Sequence, residues 1–174
     1  MNAQGRLIAR FLNDMAPGQL EWIGLRPERK APMLSVGKTL AIADWGLQGD
    51  RRLQGSKGSA RQVSIISREF IHAIEENLGS EAISPELLRR NLLVSGINLN
   101  ALRHQYFKIG NAVFQATAQC HPCSRMEAAL GEGGLVAMLG FGGLCAKIIE
   151  SGEVAVGDTI SHMPAYEPAQ LQLY

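Results

Sequence analysis

The chain has 174 residues, of which 46% are hydrophobic and 19% charged, a composition that suits a globular protein with one hydrophobic core. Lys and Arg number 17 against 16 acidic residues, so the chain lacks the broad positive field that wraps nucleic acid or coats an anionic membrane. No segment approaches the roughly 20 apolar residues of a membrane span and the first residues lack a secretion signal, so we expect a single domain over residues 1–174, located in the cytoplasm without membrane contact.

The first third of the chain is predicted to contain a helix, two strands and a long basic loop. Residues 4–15 place apolar side chains on one helical stripe, which a homodimer contact could cover. Strands are predicted at residues 20–25 and 33–44. Residues 46–61 hold four glycines and four basic residues, which indicates a loop whose side chains and backbone amides form a small anion site. The basic residues of this loop are Arg51, Arg52, Lys57 and Arg61.

The rest of the chain alternates short strands with short helices. Helices are predicted from Ser67 to Gly79, from Ser84 to about Arg89 and over residues 124–130. The remaining segments are predicted strands at residues 62–66, 91–95, 106–109, 112–118, 144–150 and 153–156, and a surface tail at residues 163–174. This pattern predicts a mainly β fold, an irregular antiparallel β-barrel with peripheral helices.

The candidate chemistry centres on Cys120-His121-Pro122-Cys123, a loop between a predicted strand and a predicted helix. Three cysteines are too few, and odd in number, for a disulfide framework, so free thiols are expected. Cys120 and Cys123 could be metal ligands, a redox pair, a sulfur carrier or small buried side chains. His121, Arg125 and the start of the helix favour a thiolate at Cys123.

Two familiar uses of a C-x-x-C motif have weaker support. A structural zinc site needs four ligands, and Cys145 and His104 are the distant candidates without forming a matching pair. A thioredoxin-like dithiol is expected after the first strand of a βαβ unit, whereas this motif follows a predicted hairpin late in the chain. Both alternatives stay open at this point.

Other polar residues also have an ordinary interpretation beside a functional one. The basic loop could be a solvated charge cluster. Asp50 lies between Gly49 and Arg51, where an acid more often orients an arginine or accepts from turn amides than acts as a base. Arg89, Arg90 and Asn91 lie at a helix-to-strand boundary, where exposed donors could meet an anion.

Six ordered sequence segments carry a resemblance to a known family. They are GDR at residues 49–51, RQVSII at 61–66, RNLLVSGINL at 90–99, CHPC at 120–123, GGLCA at 142–146 and GEVAVGD at 152–158. In this order they resemble the MOSC domain family, named after the C-terminal domain of molybdenum cofactor sulfurase, over about residues 20–160. The chain is similar to the stand-alone bacterial form, without the pyridoxal domain of the sulfurase.

The resemblance implies a β-barrel-like fold that binds the molybdenum cofactor, a molybdenum–pyranopterin. In this family a cysteine of the motif is either the molybdenum ligand or a persulfide carrier of sulfur. Carried onto this chain, it implies that Cys123 is the metal ligand and the catalytic residue, with Cys120 as second choice. The family commonly has a histidine after its Gly-Asp-Arg turn, so Arg52 at that position is given no catalytic role. The implied cofactor-binding residues are Arg51, Lys57, Arg61, Arg90, Asn91, Cys120 and Arg125.

The function that the resemblance implies is reduction. Relatives such as the mitochondrial amidoxime-reducing component reduce N-hydroxylated bases, so the predicted activity is that of an oxidoreductase acting on small N-hydroxylated substrates. The chain has no flavin or iron–sulfur motif, so a separate redox partner protein would supply the electrons. The alternative is a carrier that passes sulfur or cofactor to another enzyme through a persulfide at Cys123.

Overall fold

Eleven strands organise the part of the chain that the structure, a computed structural model, describes, which is Leu7 and residues 11–164. The strands are β1 (Gly18–Leu25), β2 (Leu34–Val36), β3 (Lys38–Ile42), β4 (Gly46–Leu47), β5 (Val63–Ser67), β6 (Leu92–Ser95), β7 (Tyr106–Ile109), β8 (Ala112–Gln119), β9 (Leu144–Glu150), β10 (Gly152–Ala155) and β11 (Thr159–His162). The α-helices are α1 (Arg68–Leu78), α2 (Pro85–Leu88), α3 (Ser124–Leu130) and α4 (Gly134–Ala137).

Seven of these strands close into a barrel. The order around the barrel is β11-β7-β8-β9-β5-β6-β1, and β1 pairs with β11 to complete the ring. Strand β2 extends the sheet beyond β1, while β10, β3 and β4 form a separate three-stranded sheet. The predicted mainly β fold, an irregular barrel with peripheral helices, is confirmed.

One strand pair departs from the antiparallel pattern that the sequence predicts. β5 and β6 are parallel, with Ile65 opposite Leu92 and Ser67 opposite Val94. Helices α1 and α2 lie between these strands in the chain, and such a helical crossover returns the second strand in the same direction as the first. The two helices were predicted. Whether β6 runs parallel or antiparallel to its neighbour depends on which strand it pairs with, and a single sequence does not give that pairing.

Apolar side chains on both faces of β5 separate two hydrophobic clusters. Ile65 belongs to the barrel interior, where Phe107 and Phe114 stack with their ring centroids 5.3 Å apart. Ile66, on the opposite face, packs with Ile71 of α1 in a second cluster between the barrel and the helices. Because successive residues of a strand point to opposite faces, a strand covered on both sides carries apolar residues on both faces, as Ile65 and Ile66 do here.

The ends of α1 agree with the predicted capping residues, whereas the Ser84 side chain forms no capping hydrogen bond within the described residues at the start of α2. The Ser67 hydroxyl accepts a hydrogen bond from the Phe70 N–H at 3.2 Å at the start of α1, and Gly79 ends this helix with a left-handed φ of 64°. Helix α2 stops before Arg89, which has a left-handed φ of 55°. None of the helices in the described part of the chain is long and apolar enough to cross a membrane.

One predicted loop contains regular structure, and two predicted segments lie mostly outside the described residues. The basic loop of residues 46–61 contains β4 and a 3₁₀ turn at Arg51–Gln54, because Asp50 caps the turn by accepting from the Arg52 N–H. The predicted helix over residues 4–15 lies mostly outside the described residues, within which Leu12–Asp14 form a 3₁₀ turn. Most of the predicted tail, beyond residue 164, also lies outside them.

Two glycines bring the ends of the barrel strands close to the cysteine loop. Gly143 has a left-handed φ of 89°, and a Cβ atom there would overlap the carbonyl oxygen of Ile65. A Cβ atom at Gly142 would overlap the carbonyl oxygen of Cys120. Residues 142–143 therefore pack between β5 and the chain that leaves β8, which a side chain at either position would prevent.

Candidate functional site

The cysteine loop connects β8 to α3 at one end of the barrel. Cys120 follows β8 and donates its backbone N–H to the carbonyl oxygen of Gly143 at 2.8 Å. Cys123 has an extended backbone, and its carbonyl oxygen accepts from the Met126 N–H at 2.7 Å as α3 begins at Ser124, where the sequence predicts it. Cys123 is exposed, whereas Cys120 is half-buried. The two thiols of the motif therefore face different surroundings.

A buried polar network fixes the loop that follows β4. Asp50 is 3% exposed, and its carboxylate accepts from the Arg26 guanidinium with Nε–Oδ2 and Nη2–Oδ1 distances of 2.9 and 3.1 Å. It also accepts from the backbone N–H of Arg52 at 2.8 Å. Burial acts to raise the pKa of Asp50, but the hydrogen bonds and charge of Arg26 hold this pKa below its ordinary value. The prediction that Asp50 orients an arginine and accepts from turn amides is confirmed.

Asn91 joins this network to the barrel. Its Nδ2 donates to the carboxylate of Asp50 at 2.9 Å and to the carbonyl oxygen of Gly24 at 3.0 Å. Its Oδ1 accepts from Arg26 Nη2 at 3.0 Å and from Ser64 Oγ at 3.1 Å. Both polar atoms of the Asn91 amide form hydrogen bonds within the protein, and the bond from Arg26 fixes the position of that guanidinium.

A cavity of about 350 Å³ opens beside this network, and six cationic side chains line it. His121, Cys123 and Met126 complete its wall, and none of the described carboxylates lines it. The cations come from four separate segments: the loop after β1, the loop after β4, the junction of α2 with β6, and α3. They are Arg26, Lys30, Arg51, Arg89, Arg90 and Arg125. A second cavity, of about 340 Å³, continues the positive surface past Arg51 to Arg52.

The charges around the cavity act on one another. Burial lowers the pKa of Arg89, and the positive charges of Arg26, Arg51 and Arg125 lower it further. Burial and nearby positive charges both disfavour the charged form of a guanidinium. Arg89 therefore lies among cations that repel it, a repulsion that an anionic ligand would relieve.

Arg90 has a donor that the protein leaves unused. This side chain is only 7% exposed, and it donates from Nε to the carbonyl oxygen of Gly142 and from Nη1 to that of Leu88, both at 2.8 Å. Its Nη2 is buried and has no hydrogen-bond partner among the described residues. A buried donor without an acceptor costs about 1–3 kcal/mol. Nη2 is therefore a position where an acceptor atom of a ligand would be stabilised.

Cys120 has a thiol neighbour that the motif spacing does not indicate. The side chains of Cys120 and Cys145, on β9, lie close enough to affect each other's ionisation. Interaction with Cys145 lowers the pKa of Cys120 to about 6, and the charge of Arg90 adds to the effect while burial opposes it. The same interaction, together with burial, raises the pKa of Cys145. Cys120 is therefore the more acidic thiol of the pair.

The structure brings four of the predicted site residues to one cavity and distributes the others around it. The four are Arg51, Arg90, Arg125 and Cys123. Cys120 lies close enough to Arg90 and Arg61 for their charges to act on its thiol. Asn91 lies in the network behind the cavity. Lys57 is exposed and does not line either cavity.

Sequence reasoning missed Arg26 and Lys30 as residues of the cavity and Cys145 as the partner of Cys120. It identified Arg89 beside Arg90 and Asn91 as a possible anion-binding donor, but Arg90 and Asn91 are buried and not exposed as expected. Arg26 and Lys30 belong to a charged loop that appears in the sequence only as a connection. Only the structure shows that this loop reaches the cavity. Strand β1 leads into the loop and pairs with β6, which starts directly after Asn91.

The zinc alternative has no ligand set in this part of the chain. Within the described residues, no group of three or more His, Cys, Asp or Glu side chains is arranged to hold a metal ion. A zinc site held by protein side chains alone needs four such ligands. A metal that arrives with ligands of its own needs fewer protein donors, and a single exposed thiol such as Cys123 could serve it.

Comparison with known proteins decides the family. The family model of the MOSC domain matches residues 50–161, which is more than half of the chain. The chain belongs to the MOSC domain family. The matched MOSC segment begins at Asp50 and includes Arg90, the cysteine loop and β9, whereas Arg26 and Lys30 of the cavity precede it.

Solved structures share the fold of this MOSC protein. YuaD from Bacillus subtilis has a TM-score of 0.73 at 22% sequence identity, covering 88% of this chain and 99% of that chain. YiiM from Escherichia coli has a TM-score of 0.65 at 17% identity, covering 86% of this chain and 71% of that chain. YiiM from Geobacillus stearothermophilus has a TM-score of 0.67 at 14% identity, covering 84% of this chain and 75% of that chain. No curated protein matches the sequence significantly.

Proposed function

We propose that this MOSC protein is a molybdenum-cofactor-dependent oxidoreductase that reduces N-hydroxylated small molecules with electrons from a separate partner protein. The observation that carries the proposal is the cation-lined cavity with the Cys123 thiol in its wall. Guanidinium groups suit phosphate, and a thiolate suits a soft or high-valent metal. The molybdenum cofactor carries both a phosphate and such a metal.

The residues of the cavity fit this cofactor. Its cations, without a carboxylate among them, are complementary to an anionic ligand, and Arg90 Nη2 lacks an acceptor. Arg26, Arg51 and Arg125 would bind the phosphate end. Cys123 would be the protein ligand of the metal. The cavity therefore contains donors for both ends of the cofactor.

Once bound, the cofactor would supply the two-electron chemistry that breaks an N–O bond. The chain's own residues would bind and orient. Arg26 is held rigidly by Asp50 and Asn91, so it would fix the anionic end without moving. The surrounding positive charge would disfavour cationic compounds, so the proposed substrates are neutral when they bind.

Expression in a host that makes the cofactor tests the proposal. Molybdenum and pterin are measured in the purified wild type, in Cys123→Ser and in Ser124→Ala, a neighbouring exposed residue that does not line the cavity. We expect both components in the wild type and the control, and loss of the metal from Cys123→Ser. Wild-type protein with neither molybdenum nor pterin would overturn the proposal.

Turnover is tested separately, with a hydroxylamine substrate and a supplied chemical reductant. We expect reduction by the wild type and by Ser124→Ala, and none by Cys123→Ser. Bound cofactor without any reduction would exclude the reductase and favour the carrier described next.

The exposure of Cys123 supports a second candidate, a carrier of sulfur or cofactor. A persulfide at an exposed thiol can be reached by both a donor and an acceptor protein, whereas a buried one cannot. The mass of the protein after treatment with a cysteine desulfurase and cysteine separates the two functions. An added sulfur atom that maps to Cys123 would support the carrier.

A further inference from the structure

We propose that Cys120 and Cys145 form a reversible disulfide and so make a thiol–disulfide exchange site, separate from Cys123, that reacts with low-molecular-weight disulfides. The inference goes beyond the function proposed above and does not depend on it, because neither thiol needs the cofactor in order to react. It rests on the register of β8 and β9, on the accessibility of each thiol, and on the cations near Cys120.

The register of β8 and β9 places the two side chains on one face of the sheet. Ala118 lies opposite Cys145, and the hydrogen bond from Cys120 N–H to the Gly143 carbonyl oxygen at 2.8 Å continues this pairing. Residues two apart on a strand point to the same face. Cys120 and Cys145 are therefore diagonal neighbours, close enough for each thiol to affect the ionisation of the other.

Closing the disulfide would draw the strand ends together. Diagonal neighbours typically have Cα atoms about 7–8 Å apart, whereas relaxed disulfides join Cα atoms about 4.4–6.8 Å apart. The strand pair is already irregular here, with a register shift between Ala116 and Ala118, and β8 ends one residue before Cys120. A disulfide formed under strain is readily reduced, which suits a reversible bond rather than a structural one.

Cys120 is the thiol that meets an outside reagent. It is half-buried, whereas Cys145 is only 4% exposed, so an outside reagent reaches Cys120 more readily than Cys145. Gly142 separates Cys120 from Arg90: a Cβ atom there would overlap the Cys120 carbonyl oxygen and lie 3.6 Å from Arg90 Nη2. The unpartnered Nη2 therefore lies close to Cys120. The lowered pKa of Cys120, about 6, agrees with a thiolate at neutral pH.

The exchange consumes one small disulfide. The Cys120 thiolate attacks one sulfur of the disulfide, the other sulfur leaves as a thiolate that takes a proton from water, and a mixed disulfide remains on Cys120. Cys145 then gives its proton to solvent and attacks the Cys120 sulfur, which releases the second small thiol. The protein dithiol loses two electrons and the small disulfide gains them. Excess small thiol reverses both steps.

Treatment of the purified protein with glutathione disulfide tests the proposal. The reaction is quenched in acid, remaining thiols are alkylated, and the peptides are mapped by mass spectrometry. We expect a Cys120–Cys145 cross-link in the wild type and in Cys123→Ser, with loss of the cross-link when reduced glutathione is added. In Cys145→Ser we expect a stable glutathione adduct on Cys120.

The outcomes distinguish this pair from the C-x-x-C motif. A Cys120–Cys123 cross-link in the wild type would overturn the proposal, and so would a stable adduct or an unreacted thiol at Cys120. Cys145→Ala serves as a second variant, since a buried serine hydroxyl could destabilise the fold. The wild-type map needs no substitution, so the proposal is tested even if both variants fail to fold.

Discussion

The Asp50 network and the cation-lined cavity adjoin each other and share Arg26. Positive and negative charges compensate each other in the network, whereas the lining of the cavity contains cations without a carboxylate. In the network, one buried carboxylate accepts from Arg26, from Asn91 and from the backbone of Arg52. In the cavity, six cations face a space that no described carboxylate lines, and Arg90 keeps a donor without an acceptor.

This difference separates residues that stabilise the fold from residues that are free to bind. A balanced buried network is strongly destabilised when one member is removed, because the other members stay buried without partners. An unbalanced cluster of cations contributes little to stability, since its members repel one another. Removing one charge from the network should therefore lower the free energy of unfolding, whereas removing one charge from the cavity should leave it nearly unchanged.

The largest expected effect is that of Asp50→Ala on stability. This change leaves the Arg26 guanidinium and an Asn91 donor without their acceptor, and breaking a buried ion pair typically costs about 3–5 kcal/mol. Chemical denaturation measures the loss. Glu28→Ala removes an exposed acid from a nearby loop and serves as the control, with an expected change within about 0.5 kcal/mol. Equal losses in the two variants would contradict the role of the network.

Acid should weaken the same network without removing the side chain. The folded-state pKa of Asp50 is below its ordinary value of 3.8, so the stability it contributes is complete above that value and is lost as the pH falls through the folded-state pKa. The difference in unfolding free energy between the wild type and Asp50→Asn should therefore shrink as the pH is lowered below 3.8. A difference that stays constant with pH would contradict the assignment.

Gly142→Ala should have an intermediate effect at the boundary between the two regions. The new methyl group would overlap the carbonyl oxygen of Cys120, and overpacking of this kind typically costs about 1–3 kcal/mol. Alkylation of Cys120, followed by mass spectrometry, should also change in rate because the loop must move. Gly37→Ala is the control, since a Cβ atom there would meet nothing within 4 Å. An unchanged Cys120 rate would show that the loop tolerates the contact.

The smallest effect on stability is expected for Arg125→Gln. Arg125 is exposed and adds to the repulsion that lowers the pKa of Arg89, so the unfolding free energy should change by no more than about 0.5 kcal/mol. Retention of the proposed cofactor should nevertheless fall relative to Lys108→Gln, an exposed cation of β7 that does not line the cavity. A fall in stability comparable to that of Asp50→Ala would place Arg125 in the structural network instead.

The elements of the fold could be predicted from the sequence because their signals are local. Alternating apolar residues, the Ser67 cap and the Gly79 end of α1 act within a few residues of chain, and the structure agrees with them. The parallel pairing of β5 with β6 could not be predicted in the same way. The direction of β6 relative to β5 depends on where the helices between them return the chain. The sequence predicts those helices but not their orientation.

The site could be predicted only in part, for a related reason. Arg51, Arg90, Arg125 and Cys123 were identified through the motifs that contain them. Arg26 and Lys30 were missed because their loop reaches the cavity through the pairing of β1 with β6. Cys145 was missed as the partner of Cys120 because their contact depends on the register of β8 and β9, which shifts near Thr117.

The closure of the barrel has a consequence for how the protein folds. Gly18 of β1 pairs with Ile160 of β11, so the ring joins residues that are far apart in the sequence. Contacts between residues so far apart in the sequence slow folding, because the entropy lost in closing a long loop must be overcome before strand pairing can stabilise the fold. The ring can close only after β11 has left the ribosome. Every residue that lines the cavity precedes β11, so the whole cavity lining is synthesised before the ring can close.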